Sequence, residues 1–200
     1  MNAKLILKIL FVFLIGISLT ELNALHAQET EKATQISEHL KPLLPFVGKT
    51  WKGEFPSSTP AMPVYDVQHW ELILNGQAIR IMHSVNNGVY GGESIVMWDK
   101  EKEQLIYFYF TTAGFYTQGT FSFEGNKWIG HEYVTGNKDG ITEVKSTGEI
   151  LPDGRLHNKS QYLKNGKWMD GHEFYYVEDS TAKVVFKYSE RNTKALPNEV

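Results

Sequence analysis

No cysteine occurs anywhere in the 200 residues. Disulfides, thiolate metal sites and cysteine nucleophiles are therefore excluded together, as is a lipid-anchored cysteine after a signal segment. No long run of one charge occurs either. The chain holds 20 Lys and Arg against 23 Asp and Glu, and nothing in that balance points to nucleic acid. Also absent are a Gly-x-Ser-x-Gly elbow, a phosphate loop and a His-Glu-x-x-His pair, so the common enzyme signatures are missing. What the chain has in quantity is aromatic surface, 13% of all residues, enough to build a core and to exclude a disordered chain.

The first residues form a unit of their own. Lys4 and Lys8 precede an apolar run from Ile9 to Leu19, and Ala24 and Ala27 follow as small residues. That order of charge, short apolar middle and small-residue exit is a secretory signal peptide. The run is short for a membrane span, which needs about 20 apolar residues. Cleavage after Ala27 is expected, giving a periplasmic or secreted bacterial protein with no stable membrane span. It would remove Lys4, Lys8 and Glu21 and leave 18 basic and 22 acidic residues. Expected boundaries are 1–27 for the signal peptide, 28–35 for a flexible segment, 36–190 for the folded domain and 191–200 for a tail.

Ile36, Leu40, Leu43 and Leu44 recur at helical spacing and predict one short helix ending near Pro45, with Pro42 keeping it short. Beyond Phe46 the texture is that of strands. Runs rich in Val, Ile, Tyr, Phe, Trp and Thr alternate with turn pairs such as Asn75-Gly76, Pro152-Asp153-Gly154 and Asn165-Gly166. About ten strands are expected, the last over Lys183–Tyr188. Consecutive hairpins without helices form an up-and-down meander, and closure into an antiparallel β-barrel removes its two edges. A barrel of that size leaves room for a ligand.

Alternation assigns faces in places. Over Phe115–Phe123 the odd positions are mostly apolar and the even ones polar. The run 105–110, by contrast, is apolar on both faces. It is expected beneath the helix, in a homodimer contact, or under ordinary cover from neighbouring loops.

The opening Leu43-Leu44-Pro45-Phe46-Val47-Gly48-Lys49-Thr50-Trp51-Lys52-Gly53-Glu54-Phe55 resembles the first-strand signature of the calycin superfamily of lipocalins, fatty-acid-binding proteins and nitrobindins. More closely, the chain resembles uncharacterised exported bacterial calycin-like proteins, through that opening, Trp70 to Gly76, Gly91 to Ile95, and Trp98-Asp99. Two residues separate Gly48 from Trp51, where lipocalins have one. The resemblance implies an antiparallel barrel and a small-molecule ligand. Trp51 is expected to plug one end over Leu40 and Leu44.

The leading expectation is a carrier or sensor for a small, mostly apolar or amphipathic molecule, and not an enzyme. Its cavity would be lined by Trp70, Met82, Phe108, Phe121 and Tyr133, with Arg80 or His172 as polar anchors. Arg80 and His83 have opposite parity and are expected to face apart. The echo Trp128-Ile-Gly-His131-Glu132 and Trp168-Met-Asp-Gly-His172-Glu173 lets only one member of each His-Glu pair face inward. Glu71, Glu93, Glu132, Glu143 and Glu173 are candidate general bases should the barrel be an enzyme. The nitrobindin resemblance implies haem as an alternative cofactor, with His172 as its axial ligand. A barrel filled with side chains and used for protein interaction is the third reading. No metal site is expected.

Overall fold

The computed structural model describes residues 35–135 and 139–187. The expected signal segment, the flexible segment up to residue 34 and the 191–200 tail lie outside them. The domain from Ser37 onward is a closed antiparallel barrel of ten strands. Its strands are β1 (Thr50–Glu54), β2 (Tyr65–Ile73), β3 (Ala78–Val85), β4 (Tyr90–Asp99) and β5 (Gln104–Thr111). They continue as β6 (Tyr116–Glu124), β7 (Lys127–Tyr133), β8 (Ile141–Ile150), β9 (Leu156–Lys164) and β10 (Lys167–Glu178). Each strand pairs with its neighbour in sequence, and β1 pairs with β10 to close the ring. Among the described residues no helix is long and apolar enough to cross a membrane.

The turns explain the meander. Asn75, Asn86, Asn87 and Asn165 all have positive φ, each in a hairpin connection where Asn tolerates that conformation better than most residues. The expected helix is present, but as a 3₁₀ helix over Glu38–Phe46 containing Pro42 and Pro45. A proline removes the N–H that an α-helix would need at its position, which favours the shorter, tighter form.

One end of the barrel is apolar and sealed. Leu40, Leu43 and Phe46 of the 3₁₀ helix pack with Trp51, Trp70, Ile79, Val96, Leu105 and Leu156. The Ser37 N–H donates to the Gly76 carbonyl at 3.0 Å, and the Gly48 N–H to the Trp70 carbonyl at 2.8 Å. These bonds fasten the helix to the end of β2. Trp51 is fully buried in this cluster with Leu40, as expected, but its second leucine is Leu43 and not Leu44, which is only half-buried.

The expected final strand over Lys183–Tyr188 is corrected. Residues 183–187 are not strand; they cross to the β3–β4 hairpin, where the Val185 N–H donates to Ser84 Oγ at 3.0 Å. The β1–β10 pairing has already closed the ring, so no edge remains to accept another strand.

Candidate functional site

Directly paired residues on neighbouring strands share a face, so one inward residue fixes its whole row. Trp70, Ile81, Ser94, Tyr109 and Thr117 form one such row. Gln68 pairs with His83, and Gly130 with Phe121 and Ser146. These rows enclose a cavity of about 270 Å³. Its wall includes Asp66, Gln68, Trp70, His83, Tyr109 and Glu132, and also Trp128, Ser146, Asn158 and Tyr176. The volume lies near the lower limit for small-molecule sites, about 300 Å³.

Glycines make this interior possible. A Cβ at Gly53 would stand 2.7 Å from the Tyr176 ring, and one at Gly171 2.6 Å from the Tyr162 ring. At Gly148 a Cβ would meet the Trp128 indole more closely still. The barrel therefore sets a large ring across from a residue without a side chain.

The polar side of the cavity is a connected network. His83 Nδ1 lies 2.8 Å from Asp66 Oδ1, and His83 Nε2 lies 2.7 Å from the Tyr109 hydroxyl. Tyr109 donates onward to Tyr90 at 3.1 Å. The second Asp66 oxygen accepts from the Tyr176 hydroxyl at 3.1 Å. Burial pushes the Tyr109 and Tyr176 hydroxyls far above their ordinary range, so both stay protonated and act as fixed dipoles. Gln68 Oε1 accepts from Trp70 Nε1 at 2.7 Å.

Glu132 stands apart. Its Oε2 accepts from the Tyr107 hydroxyl at 3.3 Å, and among the described residues it has no ion-pair partner within 4.0 Å. Burial raises its pKa, with the hydroxyl bonds opposing only in part. The folded barrel thus holds this proton more tightly than the unfolded chain does. Its stabilising contribution is complete below the unfolded value of about 4.5 and is lost as pH rises through the higher folded value. Glu132→Gln, which copies the protonated acid, is expected to raise the melting temperature near neutral pH. The gain should vanish below about pH 4, where the wild-type group is neutral in both states. Thermal melts of both proteins across that range check this, and a gain that persists at low pH would contradict it.

Two buried polar atoms on the cavity wall lack a partner among the described residues, Trp128 Nε1 and Asn158 Oδ1. An unpaired buried polar group costs about 1–3 kcal/mol.

The sequence expectations divide by parity. Trp70 and Phe121 line the cavity. Arg80, Met82, Phe108 and Tyr133 do not; each follows or precedes an inward residue and faces outward, which corrects their placement. Arg80 pairs outside with Glu71, its Nε 2.6 Å from Oε1. Phe108 and Tyr133 are exposed and border a shallow outer depression. His83 faces in and Arg80 out, as their parity required.

His172 sits at a bulge in β10, where the register shifts between Asp170 and Glu173. Its ring contacts Phe55, Tyr162 and Phe174, yet the residue is exposed and is not part of the cavity wall. Haem ligation needs an imidazole free within an apolar pocket. His172 is exposed and His83 is engaged at both nitrogens, so these residues do not fit the group and no haem chemistry is derived.

In the first His-Glu echo the inward member is Glu132, while His131 faces out to Glu143 at 2.6 Å. Of the other candidate bases, Glu71, Glu143 and Glu173 form ion pairs outside the cavity, and Glu93 is not on its wall. Of the aromatic run 105–110, Leu105 packs in the cluster of the helix, whereas Phe108 and Phe110 remain exposed.

Asp66 and Asn158 escaped the sequence reading, while His83 and Glu132 appear in it without being placed on the cavity wall. The signal existed for two of them. Once Trp70 is inward, Asp66 follows four residues away on the same face, and Glu132 follows from Trp128 in the same way.

Fold and cavity together define a ten-stranded antiparallel barrel with a sealed apolar end and a polar-walled interior. No family model matches the chain, and no curated protein matches it. Among solved structures it is similar to Rv2717c from M. tuberculosis, with a TM-score of 0.50 and 12% identity. The match covers 72% of this chain and 99% of that one. At that identity the likeness concerns the fold alone.

Proposed function

We propose that this protein binds a small molecule inside its barrel, as an exported carrier or sensor. The export part of the reading is supported by the order of charge, apolar run and small residues at 1–27. The single observation that carries the binding part is the pair of unpartnered polar atoms, Trp128 Nε1 and Asn158 Oδ1, on the wall of one cavity. A barrel meant only to be filled would place apolar atoms there, since each unpaired polar group is a cost. The polar network also refines the expected ligand. Aromatic faces supply apolar contact, and Asp66, His83, Tyr109 and Glu132 supply hydrogen bonds, so the ligand is amphipathic rather than purely apolar.

Native mass spectrometry on protein exported by a bacterial host and purified without refolding tests this. The expected result is an added mass that leaves on denaturation. Gly130→Leu should abolish it. A Cβ at Gly130 meets nothing closer than 3.7 Å, so the new side chain can enter the cavity without forcing the backbone. A wild-type protein of bare mass that also binds nothing in titration would overturn the reading in favour of a filled barrel.

A further inference from the structure

The cavity wall holds more acid than base. Asp66 and Glu132 contribute two carboxylates, and neither Lys nor Arg lines the cavity. The one basic side chain there, His83, already spends both nitrogens on Asp66 and Tyr109. The nearest candidates for a cationic anchor sit outside the ring. Arg80 is held by Glu71, Lys52 lies over Tyr65 and Lys145 over Trp168. An anionic ligand of the kind an inward Arg80 would have taken would meet Glu132, and the imidazole that could answer it is already committed to Asp66. Desolvating it there is prohibitive.

We propose that the cavity selects a small organic amine, bound as its ammonium ion beside Glu132, with a hydrogen-bond acceptor elsewhere on its skeleton. This inference rests on the cavity being a ligand site and names the ligand class. Three observations converge on it.

The first is the difference between the two carboxylates. Both Asp66 oxygens are already used, by His83 and by Tyr176. Glu132 has the Tyr107 hydroxyl at 3.3 Å and no ion pair among the described residues, although a carboxylate offers about four lone-pair sites. Buried charges in proteins are paired, and here a ligand ammonium supplies the missing partner.

The second is the aromatic enclosure. Trp70, Tyr107, Tyr109, Phe121 and Trp128 all face the same space, and Tyr107–Phe121 and Phe121–Trp128 have ring centroids 5.0 Å and 5.3 Å apart. Indole and phenol faces attract a cation by about 0.5–2 kcal/mol each, more when water is excluded. These rings repel an anion by the same physics.

The third is the pair of unpartnered atoms. Trp128 is 6% exposed, and its Nε1–H has no acceptor among the described residues, which calls for a lone pair on the ligand. Asn158 Oδ1 is a buried acceptor without a donor in the same register row as Trp128, through Gly148, and it calls for a donor at that end of the ligand.

The test compares three molecules of nearly one shape and three charges: tyramine, tyrosol and 4-hydroxyphenylacetate. Each is titrated calorimetrically into the purified full chain near neutral pH. Tyramine is expected to bind about tenfold or more tighter than tyrosol, with the carboxylate not binding. Glu132→Gln should reduce tyramine to the level of tyrosol, with circular dichroism checking that the variant is folded. Trp128→Phe, which removes the N–H and keeps the ring, should weaken tyramine and tyrosol together.

Binding of the carboxylate as tight as the amine would overturn the proposal, as would an amine preference that survives Glu132→Gln. If none of the three binds but a native adduct is present, the charge of the released compound decides. A cation upholds the proposal; an anion or a neutral lipid overturns it while leaving the binding reading intact. No adduct and no binding would sink both.

Discussion

Alanine at Trp51 is expected to lower the free energy of unfolding by about 3–5 kcal/mol, the range for deleting a fully buried large aromatic. Trp51 is 0% exposed, and it packs in the cluster formed by Leu40, Leu43, Phe46 and Leu156. Removing the indole opens a void between the 3₁₀ helix and the strands. The helix is poorly placed to collapse into it, because Pro42 and Pro45 limit its conformations and its ends are tied to Gly76 and Trp70. Chemical denaturation should show a lower midpoint with little change in slope. Trp51→Phe should cost less, since the indole Nε1 has no hydrogen-bond partner among the described residues to lose. An exposed-residue effect, within about 0.5 kcal/mol, would mean the helix does not seal the barrel.

The second large effect concerns one methyl group. Gly148→Ala would place a Cβ on the Trp128 indole, against its Cε2, Cζ2 and Nε1 atoms. Overpacking of this kind costs about 1–3 kcal/mol, because the ring must leave its rotamer or the strands must part. The same movement would disturb the cavity wall and its unpartnered N–H. In a Trp128→Leu background the collision disappears, so the alanine should then be nearly neutral. A double-mutant cycle measures that coupling, expected to be about 1 kcal/mol or more in magnitude. Equal cost in both backgrounds would show that Gly148 is needed for its backbone and not for its clearance. Gly130 stands on the same inner face, yet its Cβ position is open, so substitutions at these two glycines should act on different properties.

Much of the architecture was legible from local chemistry. Asn-Gly and Asp-Gly pairs mark tight hairpins because those residues accept positive φ, and a chain of hairpins without helices has one economical closure. The rows of β6 were legible too, since Phe115, Phe121 and Phe123 fall at odd positions and Gln118, Thr120 and Ser122 at even ones. The Arg80–His83 parity was equally secure, for alternation is a property of the extended backbone itself.

Which parity faced inward was less accessible. In β3 both faces carry apolar residues, Ile79 and Ile81 on one and Met82 on the other, so composition alone did not choose. In β5 both faces carry aromatic rings, Tyr107 and Tyr109 on one and Phe108 and Phe110 on the other, and the purely apolar rings proved to be the exposed ones. In β10 His172 keeps its ring contact with Phe174 beside the bulge, yet it is exposed and lies off the cavity wall. A cavity that holds polar groups inverts the usual rule of apolar inside, which is why Asp66, His83 and Glu132 were not assigned to its wall.

By itself, then, the sequence determined strand order, the turns, the sealing role of Trp51 and the absence of any thiol chemistry, because each follows from residues near one another in the chain. The tertiary structure alone decided the cavity and its charge. Asp66, His83, Tyr109 and Tyr176 come from four strands, and Glu132 from a fifth. Only closure of β1 onto β10 brings the carboxylates, the rings and the unpartnered atoms around one space.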